Sequence, residues 1–343
     1  MVKGLSVALI TCCVLTACTD NDTPNDAKDA ATVTAADTAN VAAVPFREAK
    51  IDSFALRLKA GDVYRYRVTQ FSEAGPDSAV ATSKSVHVYT KTVRKVRSDG
   101  SYEISMRFDT IRVDLTVKNR TTGALLTEQH YTSTDSSQRS NANYMQFNAL
   151  LGEDVSIFVD PKGVITEVGD VAPIVTKMLS KAGPGVTPAI REQVGEQIKQ
   201  AVYMSFYGQE HIPLPSQAID STGSWSIPST NPIAELFTMS SVASYHIDGV
   251  RTIRSRRVAS ITGQVKGSVD TRPLPKNAPF SVKILSSTIS GTTRSLLDVD
   301  GGFTIAKKNA VTFSVTARLE SPAVGTKNVS QTQVSRYEIE LLP

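Results

Sequence analysis

Residues 98–117 read Ser-Asp-Gly-Ser-Tyr-Glu-Ile-Ser-Met-Arg-Phe-Asp-Thr-Ile-Arg-Val-Asp-Leu-Thr-Val, and this stretch decides the fold class. Ser98-Asp99-Gly100 supplies a turn in which glycine is free to take positive φ. Tyr102, Ile104, Met106 and Phe108 then alternate with Glu103, Ser105, Arg107 and Asp109, and Ile111, Val113, Leu115 and Val117 carry the pattern on. A period of two puts the apolar side chains on one face of a strand and the polar ones on the other. One dry face and one wet face imply an antiparallel sheet, because a parallel α/β core buries both faces.

The same signal spreads outward. Phe54, Leu56 and Leu58 alternate with polar or small neighbours, Gly61-Asp62 turns the chain, and Val63–Phe71 and Ser85–Val96 follow as strands. Asn119–Gly123 turns toward Leu125–Thr132, and Val155–Val159 and Val164–Val168 flank Asp160-Pro161-Lys162-Gly163, where proline presets the turn. After residue 233 the segments Leu236–Ile247, Arg251–Val269, Phe280–Ile289, Thr293–Val299, Phe303–Ala306, Val311–Leu319 and Thr332–Leu342 all read as strands. The expected fold is mainly β, a curved antiparallel sheet or half-barrel covered by one or two helices. Asp298, Gly301 and Thr304 repeat Asp160, Gly163 and Thr166 at a constant spacing. A pseudo-repeat of two β halves, 51–169 and 233–343, is one reading of that echo, and chance recurrence of a common Asp-x-x-Gly turn is the other.

Between the halves lies a helical segment, 170–208, and a linker, 209–232. A short helix is expected at Ile174–Lys181 and a longer one at Pro188–Tyr207, with Thr187 as N-cap, Pro188 at the first position and Gly208 as terminator. Ile190, Val194, Ile198, Ala201, Val202 and Phe206 form one helical stripe. That stripe reads as core-facing. Membrane-surface helices carry a basic polar face, whereas Arg191 and Lys199 are balanced here by Glu192 and Glu196. Gly183, Gly185 and Gly195 mark places where this segment could flex, or simply loop chemistry and packing.

The amino terminus carries an address. Lys3, the apolar run Leu5–Leu15 and then Leu15-Thr16-Ala17-Cys18 read as a signal peptide over residues 1–17 with a lipobox. The run is too short for a membrane span, which takes about 20 residues. Cys18 is therefore the expected lipidation site, and three acyl chains (palmitate-like) at about 0.8 kcal/mol per methylene would anchor the chain durably. Thr19 follows the cysteine where an aspartate would direct inner-membrane retention, so the outer membrane of a bacterial cell envelope is the expected location. From residue 18 to 50 the composition turns to Asp, Asn, Thr and Ala, with no aromatic before Phe46, as in a disordered tether.

Composition removes several chemistries. All three cysteines, Cys12, Cys13 and Cys18, precede the folded region 51–343, so no disulfide or Cys-ligated metal is expected there. The net charge is only +4, and the one basic cluster, Arg251, Arg254, Arg256 and Arg257, has no interleaved aromatics, so a solvated strand face is expected and nucleic acid is not. No Gly-x-Ser-x-Gly, no Gly-Lys of a phosphate loop and no His-Glu-x-x-His occurs. His87, His130, His211 and His246 are widely separated and read as strand or surface residues. Asp298-Val299-Asp300-Gly301 looks like part of a calcium loop, but Leu296 and Lys307 stand where further oxygen ligands belong, so a turn is expected. Asp109 and Asp114 could sit near each other as a carboxylate pair, yet wet-face acids of this kind are ordinary strand chemistry. No catalytic residue, metal or cofactor is assigned.

Gly61-Asp62-Val63-Tyr64-Arg65-Tyr66, Val159-Asp160-Pro161-Lys162-Gly163-Val164, Leu214-Pro215 and Gly223-Ser224-Trp225 together resemble a family of uncharacterised bacterial envelope lipoproteins, a domain of unknown function, over nearly all of residues 51–343. The resemblance implies location and fold and supplies no catalytic residues. By analogy with periplasmic lipoprotein carriers, a half-barrel would wrap helices over an apolar cavity, although fold does not settle function. The expected function is that of a noncatalytic envelope lipoprotein, bound to the membrane through its anchor and carrying an apolar ligand. The alternative is a structural or assembly lipoprotein acting through envelope proteins, with an enzyme ranked last.

Overall fold

In the computed structural model, the residues described are 43–49, 51, 54–76, 78–180, 185–202, 208–215, 219, 221–233, 237–272, 280–322 and 325–343. The signal segment, Cys18 and the tether to residue 42 lie outside them.

Twelve strands form one antiparallel sheet: β1 (Val63–Pro76), β2 (Ala79–Val96), β3 (Tyr102–Asn119), β4 (Leu125–Thr132), β5 (Asp154–Val159), β6 (Ile165–Val168), β7 (Ser224–Ile233), β8 (Phe237–Ile253), β9 (Arg256–Thr271), β10 (Ser281–Asp298), β11 (Thr304–Ser321) and β12 (Gly325–Leu342). Their order is β6-β5-β3-β2-β1-β12-β11-β10-β9-β8-β7, with β4 also beside β3, and the sheet does not close. β3 therefore serves two neighbours on one side: residues 102–107 pair with β5 and residues 112–118 with β4. A bulge at Phe108–Thr110 joins the two stretches.

Strands run longer than the sequence reading allows. Thr293–Val299 and Phe280–Ile289 are one strand across Gly291, Phe303–Ala306 and Val311–Leu319 are another, and β8 passes Asp248-Gly249 through a bulge and turns only at Arg254-Ser255, both at positive φ. Polar and glycine interruptions break the one-dimensional pattern, but ladder bonds on both sides hold the backbone extended. Gly267 and Gly291 are needed for the curl: a Cβ on Gly291 would lie 1.9 Å from Val311 Cγ2, and one on Gly267 2.4 Å from the Ser240 carbonyl. Phe54–Leu58, expected as a strand, lies outside the sheet. Its amides are held by turns, Leu56 N–H donating to Pro161 O at 2.9 Å and Arg57 N–H to Gly301 O at 3.0 Å, so its alternation reflects burial of Phe54, Leu56 and Leu58 without pairing.

Among the described residues the α-helices are α1 (Ser136–Ser140), α2 (Met145–Asn148), α3 (Ala172–Leu179), α4 (Pro188–Ala201) and α5 (Gly208–Glu210). Thr187 caps α4, its hydroxyl accepting from Ile190 N–H, with Pro188 at the first position. The Ser133–Asn143 stretch holds α1, which Asp135 caps through the Ser137 amide. Gly208 opens α5, and the expected end of the longer helix, residues 203–207, lies outside the described residues. Ile190 is 40% exposed, so the buried stripe is narrower than the sequence suggested; Phe206 lies outside the described residues. Ile174, Val175, Ile198 and Val202 share the main core with Tyr66, Tyr89, Ile104, Met106 and Phe108 of the sheet. Gly195 faces α3, and a Cβ there would stand 3.7 Å from the Val171 and Val175 methyls, at ordinary contact distance.

Candidate functional site

Perturbed ionisable groups converge where residues 209–214 cross the inner face of the sheet. Lys91 and Lys307 occupy inward positions on β2 and β11, between apolar neighbours such as Tyr89 and Val93, and each is only 6% exposed. The Lys307 ammonium donates to Gln209 O at 2.7 Å and to His211 O at 2.8 Å, and the Thr304 hydroxyl donates to Glu210 O at 2.9 Å. The Glu210 carboxylate accepts from the Lys91 ammonium and from Tyr89 Oη at 2.8 Å. Lys91 also stands 4.6 Å above the Tyr66 ring, whose hydroxyl donates to Thr304 O at 2.8 Å. Burial pushes Lys307 down to about 7, against the pull of the Glu210 carboxylate. Burial, then the charges of Lys307 and Lys91, push His211 down to about 3.

Such a concentration of shifted groups often marks a reactive site. Here its geometry is that of a lock. The cavity among Leu56, Val93, Ile104, Glu210 and Phe303 is about 20 Å³, room for a water and not for a substrate. Lys307 and Thr304 are spent on backbone carbonyls of the strap 209–214 and Lys91 on the Glu210 carboxylate, and Ile212 and Leu214 drop into a second core cluster with Ile247, Ile261 and Leu297. Sequence reading missed this group. The available signal was a lysine at an inward position of an alternating strand, twice.

The opposite end of the sheet is different. Met239, Val269, Ile289, Val311 and Phe313 form a third apolar cluster with Val265 and Val315, contributed by β8–β11 and by no described helix. They share one face: Phe313 pairs with Ile289, Ile289 with Gly267, and Val269 with Met239, while Thr312, Ser314, Ser290, Lys266 and Ser240 alternate onto the other. Across the sheet the inward row continues through Ser335, Ser72 and Ser83 to Leu115, an apolar wall on each side of a polar seam. At the ends of β10–β12 an open hollow of about 440 Å³ is lined by Phe280, Ser281, Glu320, Pro322 and Thr326; Ser281, Glu320 and Thr326 are register partners on the face opposite Val311 and Phe313.

The residues singled out by sequence fall as follows. Asp298 builds a turn: its Oδ1 accepts from Asp300 N–H at 3.0 Å and Gly301 N–H at 2.7 Å, and its Oδ2 from Arg256 at 2.8 Å. Asp160 Oδ1 accepts from Lys162 and Val164 amides, both at 2.9 Å, in a similar way. Arg257 donates to Ala49 O at 2.7 Å, so part of the arginine cluster secures turns and the N-terminal segment. Asp109 sits in the β3 bulge between Arg65 and Arg107, while Asp114 pairs with Arg112 and His130, so the structure does not bring the two acids together. His87 is buried on β2, its ring Nε2 3.0 Å from Ser85 Oγ, and His246 contacts Ser224 Oγ at 3.0 Å. The four histidines stay apart, and among the described residues no group of three His, Cys, Asp or Glu could hold a metal. Trp225 stacks on Tyr245 at 5.2 Å and donates to Pro213 O at 3.0 Å, next to the strap.

Among solved structures the chain is similar to lipovitellin, described there for its lipid-protein interactions, at 8% identity and a TM-score of 0.42 over 83% of this chain; it spans about a quarter (25%) of the lipovitellin chain. It is also similar to an outer-membrane channel from Pseudomonas putida F1, at 8% identity over 85% of this chain and 98% of that one with a TM-score of 0.21. For Pseudomonas aeruginosa OccK7 the figures are 7%, 83%, 100% and 0.22. Likenesses this distant carry no functional argument. No curated protein matches the sequence. Residues 99–303, more than half of the chain, match DUF6263, a family of unknown function, and the chain belongs to that family.

Proposed function

We propose that the chain is a noncatalytic, lipid-anchored protein of the bacterial cell envelope that takes an apolar ligand on the inner face of its sheet, away from the helices. The observation that carries this reading is the third apolar cluster: an inward row on β8–β11 that no described helix covers. The space beneath the helices is filled, so a ligand's place moves to the other end. The likeness of the Asp160 and Asp298 turns favours a pseudo-repeat of two β halves, with the helices as an insert between them.

Mass spectrometry of organic extracts from the purified protein tests the ligand, with a fluorescent fatty acid as displacement probe. Lipid recovered from wild type and lost in Phe313→Asp supports the reading; no lipid and no probe binding in a folded protein sink it. The anchor is tested separately. Cys18→Ala should release the chain from membranes, and retention of that variant through a high-salt wash would overturn the lipidation. A role in assembly through envelope proteins is the second reading, favoured by Leu125 and Leu126, 55% and 56% exposed on strand β4.

A further inference from the structure

The bulge at Phe108–Thr110 falls where β3 loses β5 and gains β4, and bulges re-aim side chains next to functional clefts. Here it opens a cleft of about 550 Å³ between the sheet and the α1–α2 segment, lined by Arg107, Asp109, Arg139, Asn148 and Leu151. We infer that this cleft is an oxyanion site whose ligand carries a phosphate group. The inference goes beyond the apolar-ligand reading and does not depend on it.

Its charge is unbalanced. Asp109 is the one carboxylate of the lining, and it is shared by Arg65 Nε at 3.3 Å, Arg107 Nε at 3.5 Å and the Thr90 hydroxyl at 2.7 Å. Arg139 donates from Nε to Ser133 O and has no acidic partner among the described residues. A guanidinium holds five N–H donors in a planar fork, so Arg107 and Arg139 each keep Nη donors for a ligand. Two arginines of the lining against one aspartate leave an excess of one positive charge, and Arg65, on Asp109 from β1, adds a second beside the cleft, a balance that a dianionic phosphate would match and a flat carboxylate would not. Asn148 is fixed beside them, accepting from Tyr131 Oη at 2.7 Å and donating to Gln138 O at 3.2 Å, so the wall is preorganised. Arg107 and Arg139 come from opposite walls, and a tetrahedral group can offer a separate oxygen to each.

Isothermal titration of the full chain at low ionic strength tests this, with inorganic phosphate, glycerol 1-phosphate, soluble dihexanoyl phosphatidic acid and acetate as probes. Inorganic phosphate should bind saturably and acetate at least tenfold more weakly. A further gain for dihexanoyl phosphatidic acid would identify a lipid headgroup as the source; equal binding of all three phosphates would identify the free group. Arg107→Gln/Arg139→Gln should lose tenfold or more. Asp109→Asn, which keeps an oxygen for Thr90 and removes the competing charge, should bind several-fold more tightly. The inference is overturned by the absence of saturable phosphate binding, by weaker binding in Asp109→Asn, or by an equal loss in Arg318→Gln/Lys327→Gln, which removes two charges at the far end of the sheet.

Discussion

Two buried neutral histidines should make this protein acid-labile well above the range where carboxylates titrate. Burial pushes His87 down to about 4, and His211 is pushed to about 3 by burial and by Lys307 and Lys91. Both folded values lie below the unfolded value of about 6.5. Between those limits the unfolded chain takes up protons that the folded chain refuses, so stability is complete above pH 6.5 and falls as the pH drops toward 4. At pH 5 each site costs about 2 kcal/mol, or about 4 kcal/mol together, a large part of the 5–15 kcal/mol of a typical domain. That figure is an upper one, because part of the His211 residue reaches the solvent boundary. His130 acts in the opposite sense: hydrogen bonds to Asp114 and Glu128 raise it, but it is exposed and salt screens it. Lys307 changes little over this interval, since its loss of the proton lies at about 7 and above. Urea unfolding at pH 7 and pH 5, followed by Trp225 emission, reads the difference. His87→Gln/His211→Gln should remove most of it, whatever the variant's stability at pH 7. A wild-type difference under about 1 kcal/mol, or an unchanged slope in the double variant, would refute the reasoning.

Other expectations follow from packing. Ile198→Asp, at a position 6% exposed beneath the sheet, should cost at least about 3 kcal/mol in urea unfolding, whereas Ile190→Asp, 40% exposed on the same helix, should stay within about 0.5 kcal/mol. Similar losses in the two would mean that α4 is not seated as described. Gly291→Ala should destabilise by about 1–3 kcal/mol, because its Cβ would overlap Val311 and the Ala310 carbonyl, while Gly185→Ala, with nothing within 4 Å, should leave the thermal midpoint unchanged or slightly raised.

The sheet was legible because its signal is local: Tyr102 to Phe108 and Ile111 to Val117 each alternate, and the phase shift between Phe108 and Ile111 falls at the bulge of the observed strand. The turns at Asp160 and Thr187's cap were legible for the same reason, each depending on residues two to four positions away. What could not be read was non-local. Phe54, Leu56 and Leu58 alternate like a strand, but pairing depends on a free neighbour edge, and β1 already lies between β2 and β12. The strap lock joins Tyr89 and Lys91 to Glu210 and Lys307, residues more than 90 positions apart in sequence at the nearest cross-element contact. The arginine cleft likewise joins Arg107 to Arg139 through a β-bulge and two short helices that sequence reading did not predict.

The two ends of the sheet are built for different tasks. At one end the Asp160 and Asp298 turns both bond the Leu56–Arg57 backbone, and Gly302 packs so closely that a Cβ there would lie 2.1 Å from Ala55 O. The strap adds a second transverse tie through Lys91 and Lys307. An open sheet invites pairing along its edges, and β7 resists it. Ile247 N–H donates to Gly223 O, so alternation turns the amide position of residue 228 outward, where Pro228 has no donor to offer. Breaking one partner of a buried ion pair costs about 3–5 kcal/mol, so the tied end resists opening. Strands of 18 residues reach about 60 Å, and among the described residues neither strap nor helix crosses the apolar row of the far half. Any motion that admits a ligand is therefore cheapest at the untied end, which is where the apolar row lies.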